Sequence, residues 1–278
     1  MNPTGDSDDL SVRARSVLLD ALIALDAHRD SVVVIGAQAI YLHTGGASVA
    51  VAEATKDSDL GIDLRTLGDD PLIEEAMSRA GFRHDPLAGQ PGSWLSPGGI
   101  PVDLMVPDTI AGKGRRSVEA PPHDKRALRR AVGLEAAVVD NAVMTICALA
   151  AEDDRVVNAR VASPAALVVA KLHKVGERQE TPDRLVDKDA YDIYRLLVAL
   201  PTQGLAAALT RLLADSLAGV VTNAALDFLA QMFGDADSIG SVMAGRTEDL
   251  VGDPAVVAAA CAALAGDLLT AVDEATEG

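Results

Sequence analysis

The sequence predicts an α+β protein with two lobes: a mixed sheet with helices in residues 1–162, and a helical bundle in residues 163–278. Four segments have the apolar or alternating pattern of strands, namely residues 32–35, 100–106, 137–146 and 155–162. Beyond residue 203 the chain is rich in alanine and leucine at helical spacing. Strands followed by helices favour an α+β fold over an alternating α/β one.

Composition limits the classes of function. The chain has 278 residues, of which 49% are hydrophobic, so it has enough apolar material for a large core. The net charge of −17 excludes a general nucleic-acid coat, which needs cations to neutralise phosphates. No run of eighteen apolar residues occurs, and the first ten residues are polar and acidic, so we expect neither a membrane span nor a secretory signal. Cys147 and Cys261 lie in apolar contexts and are predicted to be buried thiols of a cytoplasmic protein.

The chemistry is expected around residues 31–64. An apolar strand runs into Gly36 and a short helix, and a second strand is predicted to begin near Lys56. On that strand Asp57 and Asp59 would project to one face, because alternate residues of a strand share a face. Two neighbouring carboxylates repel each other unless a cation lies between them, and magnesium prefers such oxygen ligands. The alternative is a solvated acidic strand end, which is a common feature.

This stretch resembles the core motif of the nucleotidyltransferase fold. The motif consists of a strand, Gly36-Ala37 in place of the usual Gly-Gly or Gly-Ser, a helix, and a strand with Asp-x-Asp. Thr55 before Lys56-Asp57-Ser58-Asp59 is similar to the variant found in the AbiEii/MenT group of bacterial nucleotidyltransferase toxins. The resemblance implies that Asp57 and Asp59 hold magnesium and that Gly36, Ala37 and Thr55 contact a nucleotide.

Asp103 lies near the centre of the apolar segment 100–106. A charged residue in such a strand is expensive to bury without a partner. Nucleotidyltransferases carry a third carboxylate on the strand next to Asp-x-Asp, so the resemblance implies that Asp103 is a catalytic, metal-binding acid. The alternative is an aspartate that faces solvent on a half-exposed strand.

The helical lobe contains a second point of resemblance. Ser163-Pro164 is a typical helix start, and Lys171 and Lys174 share one face of the predicted helix. The later segment Lys188-Asp189-Ala190-Tyr191-Asp192 also has a counterpart in the AbiEii/MenT group. By that resemblance Lys171 contacts nucleotide phosphates with Lys174 beside it, and Asp189 is a required acid. The alternative is that Asp189, Asp192 and Arg195 form ordinary surface ion pairs.

A basic segment stands out in the acidic chain. Residues 111–130 contain seven cations against two acids: Lys113, Arg115, Arg116, Lys125, Arg126, Arg129 and Arg130. By contrast, residues 201–278 contain eleven acids and two arginines. We expect the basic segment to contact an RNA acceptor, and a solvated loop is the alternative.

Together these features predict a magnesium-dependent enzyme that transfers NMP from an NTP to an RNA acceptor such as a tRNA 3′ end, with the helical lobe completing the cleft. The resemblance implies the toxin of a toxin–antitoxin pair, with an antitoxin protein as partner. Two alternatives stay open. One is a small-molecule nucleotidyltransferase of the aminoglycoside-modifying type, and the other is a non-catalytic nucleotide-binding protein on the same fold.

Overall fold

The structure, a computed structural model, describes residues 3–45, 57–87, 89–179, 185–249 and 252–277, with side chains from residue 10 onward. The chain divides into two compact units. Of the described residues, the first unit holds those up to 39 and 57–162, and the second unit holds 40–45 and 163–277. Thr55 and Lys56, which belong to the predicted nucleotide-binding stretch, lie outside the described residues.

The first unit is built from a sheet and its covering helices. Its described elements are α1 (Pro3–Ala24), β1 (Val32–Ile35), the start of α2 (Gly36–Thr44), β2 (Ser58–Ile62), α3 (Ile73–Arg79), β3 (Arg83–His84), β4 (Ser93–Leu95), β5 (Pro101–Pro107), β6 (Arg129–Ala131), α4 (Glu135–Val139), β7 (Asn141–Cys147) and β8 (Val156–Ala162).

The sheet is mixed, as the sequence predicts. Its strand order among the described residues is β3-β4-β5-β2-β1-β8-β7, with β6 beside β5. The pairs β1–β8, β2–β5 and β5–β6 are parallel, and β1–β2, β3–β4, β4–β5 and β7–β8 are antiparallel. This order puts β2, which carries Asp59, directly beside β5, which carries Asp103.

One face of β2 and β5 belongs to the core of the first unit. Leu60, Ile62 and Leu104 are fully buried. Ser58 points to the same face as Leu60, and its hydroxyl donates to the carbonyl of Ala14 in α1 at 3.1 Å. The odd-numbered residues of both strands therefore project to the opposite face.

Two elements differ from the sequence prediction. Residues 137–139, predicted to belong to a strand, lie in the short helix α4, because a short apolar run does not distinguish a buried helix from a buried strand. The sequence also predicts a helix that starts with Asp70 as its cap and Pro71 at its first position, but helix α3 begins at Ile73. The side chain of His123 accepts a hydrogen bond from the backbone N–H of Ile73 at 3.2 Å, so the end of this helix is satisfied from a distant part of the chain.

The second unit is helical, as predicted. Beside the end of α2 it contains α5 (Pro164–Gly176), α6 (Asp187–Ala199), α7 (Thr202–Leu213), α8 (Gly219–Phe233), α9 (Ile239–Arg246) and α10 (Pro254–Glu277). Ser163 caps α5, since its hydroxyl accepts from the N–H of Ala166 at 3.2 Å, and Pro164 follows it at the first helical position. Helix α5 packs on α6 and α8, and α10 packs on α7 and α9.

Among the described helices, α10 is long and apolar enough by length and composition to cross a membrane, and α6 with α7 passes the same test only as a bent pair. Core helices of globular proteins pass it as well. Helix α10 buries Val257, Cys261, Ala265 and Leu268 within the protein. The prediction of a buried thiol is confirmed for Cys261 and wrong for Cys147, which is exposed at the end of the outermost strand β7.

Candidate functional site

The junction of β1 and α2 holds the carboxylate of Asp59. Ile35, the last residue of β1, is the cross-strand partner of Asp59, and Gly36 begins α2 with a φ of +67°. A Cβ atom on residue 36 would lie 2.2 Å from Asp59 Oδ2. The space left by the missing side chain is thus filled by a carboxylate instead of being open to a phosphate. Gly36 therefore positions Asp59, a role that only a glycine allows.

Ala37, the second residue of the predicted motif, is buried in the first turn of α2. Its small side chain belongs to the packed interior, and its contribution to any ligand contact would come from its backbone. A carboxylate near the first turn of a helix is favoured by the unsatisfied N–H groups there. The carboxylate of Asp59 lies at such a helix start, beside Gly36.

Asp103 lies beside Asp59 on the neighbouring strand. The two residues are register partners in the parallel pair β2–β5, and both project away from the buried face that contains Leu60 and Leu104. Asp103 also meets a cation: its Oδ2 lies 2.7 Å from Nη2 of Arg129 on β6. The side chains of Asp103 and Arg129 are 17% and 22% exposed, so water screens this pair only in part.

Asp57 lies directly before β2 and is exposed. The strand predicted to begin near Lys56 begins at Ser58, so Asp57 precedes β2 instead of belonging to it. In the part of the chain that the structure describes, no group of three or more His, Cys, Asp or Glu side chains is arranged to hold a metal ion. The carboxylate of Asp103 forms an ion pair with Arg129.

The second unit gathers the predicted lysine and acid. Lys171 on α5 is 6% exposed, and its Nζ lies 2.8 Å from Oδ1 of Asp189 on α6. It also lies 2.6 Å from Oδ2 of Asp192, in a direction that gives an ion pair without a well-aligned hydrogen bond. Asp189 also forms ion pairs with Lys174, whose Nζ lies 3.0 Å from Oδ1, and with Arg178, whose Nη1 lies 3.3 Å from Oδ2. The alternative of a surface ion pair is excluded, because Asp189 and Asp192 are 4% and 0% exposed.

The neighbouring charges shift the pKa values of Lys171 and Asp189. Burial lowers the pKa of Lys171, but the charges of Asp192 and Asp189 outweigh burial and raise that pKa above its ordinary value. For Asp189, burial raises the pKa, and Lys171 and Lys174 outweigh it, so the pKa lies below its ordinary value. We call Lys171, Lys174, Arg178, Asp189 and Asp192 the buried ion network.

Sequence reasoning missed the contacts of Arg195. This arginine on α6 does not pair with Asp192. Its Nε donates to the hydroxyl of Thr44 at 2.8 Å, and its guanidinium lies 5.1 Å from the centre of the Tyr41 ring. Both partners belong to the end of α2, within the second unit. No local pattern in the sequence predicts these two contacts.

Tyr191 is a further buried residue of α6, and its hydroxyl donates to Glu248 at 2.5 Å. Burial and the Glu248 carboxylate raise the pKa of Tyr191 above its ordinary value, so the phenol stays protonated and can serve as a donor. Glu248 lies 57 residues further along the chain, and no local pattern pointed to it.

The basic segment divides into two groups. Arg129 and Arg130 are partly buried and bind Asp103 and Asp108, at 2.7 and 3.0 Å. The other five cations are exposed and form no ion pair with any described residue: Lys113, Arg115, Arg116, Lys125 and Arg126. We call these five residues the basic patch, and the contact of the segment with a partner stays a prediction.

Compared with known proteins, the chain matches no family model, no curated protein and no solved structure.

Proposed function

We propose that the protein is a nucleotidyltransferase that transfers NMP from an NTP to an RNA acceptor. The observation that carries the proposal is the position of Asp59. Its carboxylate lies against Gly36 where β1 passes into α2, and it is in register with Asp103 on the adjacent strand. Strand, glycine, helix and two acids on neighbouring strands are the parts that the sequence resemblance requires.

The donor set fits a hard divalent cation in part. Asp57 and Asp59 offer carboxylate oxygens, which Mg²⁺ prefers, while the charge of Asp103 is compensated by Arg129. When bound, magnesium would supply charge neutralisation to the triphosphate. In this proposal Asp57 and Asp59 hold the ion, Gly36 positions Asp59, and Arg129 forms an ion pair with Asp103 beside them.

The proposed transfer is a substitution at phosphorus. The oxygen of the acceptor hydroxyl bonds to the α-phosphorus, and the bond from that phosphorus to the α–β bridging oxygen breaks. The electron pair leaves with pyrophosphate, and the proton of the hydroxyl passes to water. The resemblance also predicts that Lys171 and Lys174 contact the nucleotide phosphates and that Asp189 is a required acid.

An RNA acceptor is supported by the basic patch. Its five exposed cations form no ion pair with described residues, although the chain as a whole has a net charge of −17. RNA binding depends on such cations, because each one that meets a phosphate releases counterions. A cationic small molecule of the aminoglycoside type would instead be repelled by the patch, so RNA is favoured.

By resemblance the protein acts in the cytoplasm as a toxin that an antitoxin neutralises. Its expression without a partner should then arrest bacterial growth, and Asp59→Asn should relieve the arrest. Growth without arrest by a wild-type protein that labels RNA in vitro would reject the toxin role and keep the enzymatic one.

The deciding experiment incubates the protein with each labelled NTP, magnesium and total RNA. We expect label in RNA from one or more NTPs with wild type, and none with Asp59→Asn. Asp69→Asn is the matched control, because it removes an exposed carboxylate of the first unit away from the junction. Label on an aminoglycoside but not on RNA would establish the small-molecule alternative. Nucleotide binding without any transfer would establish the non-catalytic one.

A further inference from the structure

Strand β7 forms one end of the sheet and, within the part of the chain that the structure describes, lacks the usual protection of a sheet edge. It runs from Asn141 to Cys147 without a charged residue or a proline, and each of its residues has a register partner on β8, so no bulge interrupts it. The other end of the sheet, β3, follows the usual rule: it is two residues long and carries the exposed Arg83. A long, regular and uncharged edge is a template for another strand.

The register shows which backbone groups of β7 point outward. The N–H of Ala148 donates to the carbonyl of Arg155 at 3.0 Å, one step beyond the pair of Cys147 and Val156. In an antiparallel pair every second residue bonds to the partner strand, so the groups of Asn141, Val143 and Thr145 point away from β8. Cys147 is two residues beyond Thr145, so its carbonyl also points away from β8. This carbonyl accepts a hydrogen bond from the guanidinium of Arg15.

A groove with a mixed polar and apolar lining flanks this edge. It has a volume of about 630 Å³ and runs between the end of α1 and the strands β7 and β8. Ile23, Val143 and Val156 line it and are 51%, 63% and 59% exposed. These exposed aliphatic side chains and the outward backbone groups of β7 are the features that a docked strand would cover.

The charges at the groove are balanced. Asp26 lies 3.7 Å from Arg29, and Asp30 lies 4.0 Å from Arg160. All four residues line the groove, so its rim has two acids and two bases in a chain with a net charge of −17. A two-fold axis can bring such a rim against its own copy with opposite charges facing, whereas most of the surface would repel a second copy.

We propose that β7 is the interface between two copies of this chain. Two β7 strands pair antiparallel about a two-fold axis, joining their sheets into one continuous sheet. The outward groups of Asn141, Val143 and Thr145 then bond to the partner strand, and Ile23, Val143 and Val156 are covered. This proposal is independent of the proposed enzymatic activity.

Sedimentation velocity across a range of protein concentrations tests the proposal. We expect wild type to reach the mass of two chains, and Val143→Lys and Val143→Pro to keep the mass of one. The proline removes an N–H that points away from β8, so the ladder within the chain stays complete. The lysine places like charges opposite each other across the axis.

Val220→Lys is the matched control, because Val220 is also an exposed valine, 82% accessible, but lies on α8. It should leave the dimer intact. Circular dichroism identifies any variant that fails to fold, and if Val143→Pro does so, Val143→Lys decides. A wild-type protein that is a monomer at every concentration overturns the proposal. So does a dimer that a folded Val143→Lys variant retains.

Discussion

Arg129 on β6 binds Asp103 on β5 through Nη2 at 2.7 Å from Oδ2, and by this contact a residue of the basic segment neutralises the third acid of the candidate site. The two residues are 26 positions apart in the chain. Their meeting depends on the parallel register of β5 and β6, in which Met105 is the partner of Arg129. The local charge is thereby one unit less negative than the three acids alone would make it.

Replacing Arg129 by methionine should destabilise the fold by about 1–3 kcal/mol, because it leaves a partly buried carboxylate without its donor. Asp103→Asn with Arg129→Met should cost less than the sum of the single changes. Urea unfolding of the four proteins gives the coupling free energy. The control cycle uses Arg79 and Glu75, an equally close pair whose side chains are 68% and 50% exposed, where coupling of less than about 1 kcal/mol is expected. Equal coupling in both cycles would contradict the structural role of Arg129.

Gly36→Ala should displace Asp59, because the new Cβ would lie 2.2 Å from its Oδ2 at a positive φ. We expect loss of nucleotide transfer together with a stability cost above the roughly 1–3 kcal/mol of backbone strain alone. Gly89→Ala is the control: Gly89 also has a positive φ, with nothing within 4 Å of the added atom. This variant has the backbone strain of an alanine at positive φ without a steric clash, so the difference between the two variants measures the clash with Asp59. If both variants behave alike in unfolding and labelling, Gly36 does not position Asp59.

Lys171→Met should destabilise the second unit by about 3–5 kcal/mol, because Asp189 and Asp192 would remain buried without their main counter-charge. Adding Asp189→Asn and Asp192→Asn to this variant should restore much of the loss. Thermal and urea unfolding measure both effects without reference to activity. Lys125→Met, on an exposed residue, should change stability by about 0.5 kcal/mol or less. A folded Lys171→Met protein of wild-type stability would show that the network contributes little.

Acid should weaken the fold through Asp189. The pKa of Asp189 is lowered in the folded protein because Lys171 and Lys174 outweigh the effect of burial. The ionised Asp189 therefore makes its full contribution to the free energy of unfolding above its unfolded-state pKa of about 3.9. That contribution is lost as the pH falls below this value towards the lower pKa of the folded protein. The stability difference between wild type and Asp189→Asn should shrink over that range in urea unfolding. Asp267→Asn, an exposed aspartate of α10, should track wild type throughout.

Reversing four cations of the basic patch, Arg115, Arg116, Lys125 and Arg126, to glutamate should abolish RNA labelling and leave thermal stability nearly unchanged. Each lost phosphate contact should reduce the slope of log affinity against log salt by about 0.7 on single-stranded RNA. Filter binding over a salt series measures this. Arg129 and Arg130 are left intact, because both are ion-paired within the fold. Undiminished labelling in the reversed variant would exclude the patch as the acceptor surface.

Much of the fold was accessible from local patterns. The adjacency of the strands that carry Asp59 and Asp103 was implied by the family resemblance alone, whereas the apolar runs of β1 and β5 predicted those two strands by short-range pattern. Ser163-Pro164 likewise predicted the start of α5. These signals lie within a few residues of the features that they describe.

The remaining features depend on which distant segments meet. Arg129 and Arg130 looked like free cations because their partners, Asp103 and Asp108, are set by the pairing of β5 with β6. The partners of Arg195 on α2 depend on helix packing within the second unit. The start of β2 at Ser58 excludes Asp57 by one residue, a precision that hydrophobic pattern does not give.

The buried ion network also constrains how this chain can change by mutation. Losing Lys171 alone leaves two buried carboxylates, and losing Asp192 alone leaves a buried lysine with less than its full counter-charge. A cost of several kcal/mol is a large part of the roughly 5–15 kcal/mol that separates folded from unfolded domains. Substitutions at Lys171, Asp189 and Asp192 are therefore coupled, because the effect of each one on stability depends on the other two. In descendants of this sequence the three positions should be retained together or replaced together by apolar residues of similar volume.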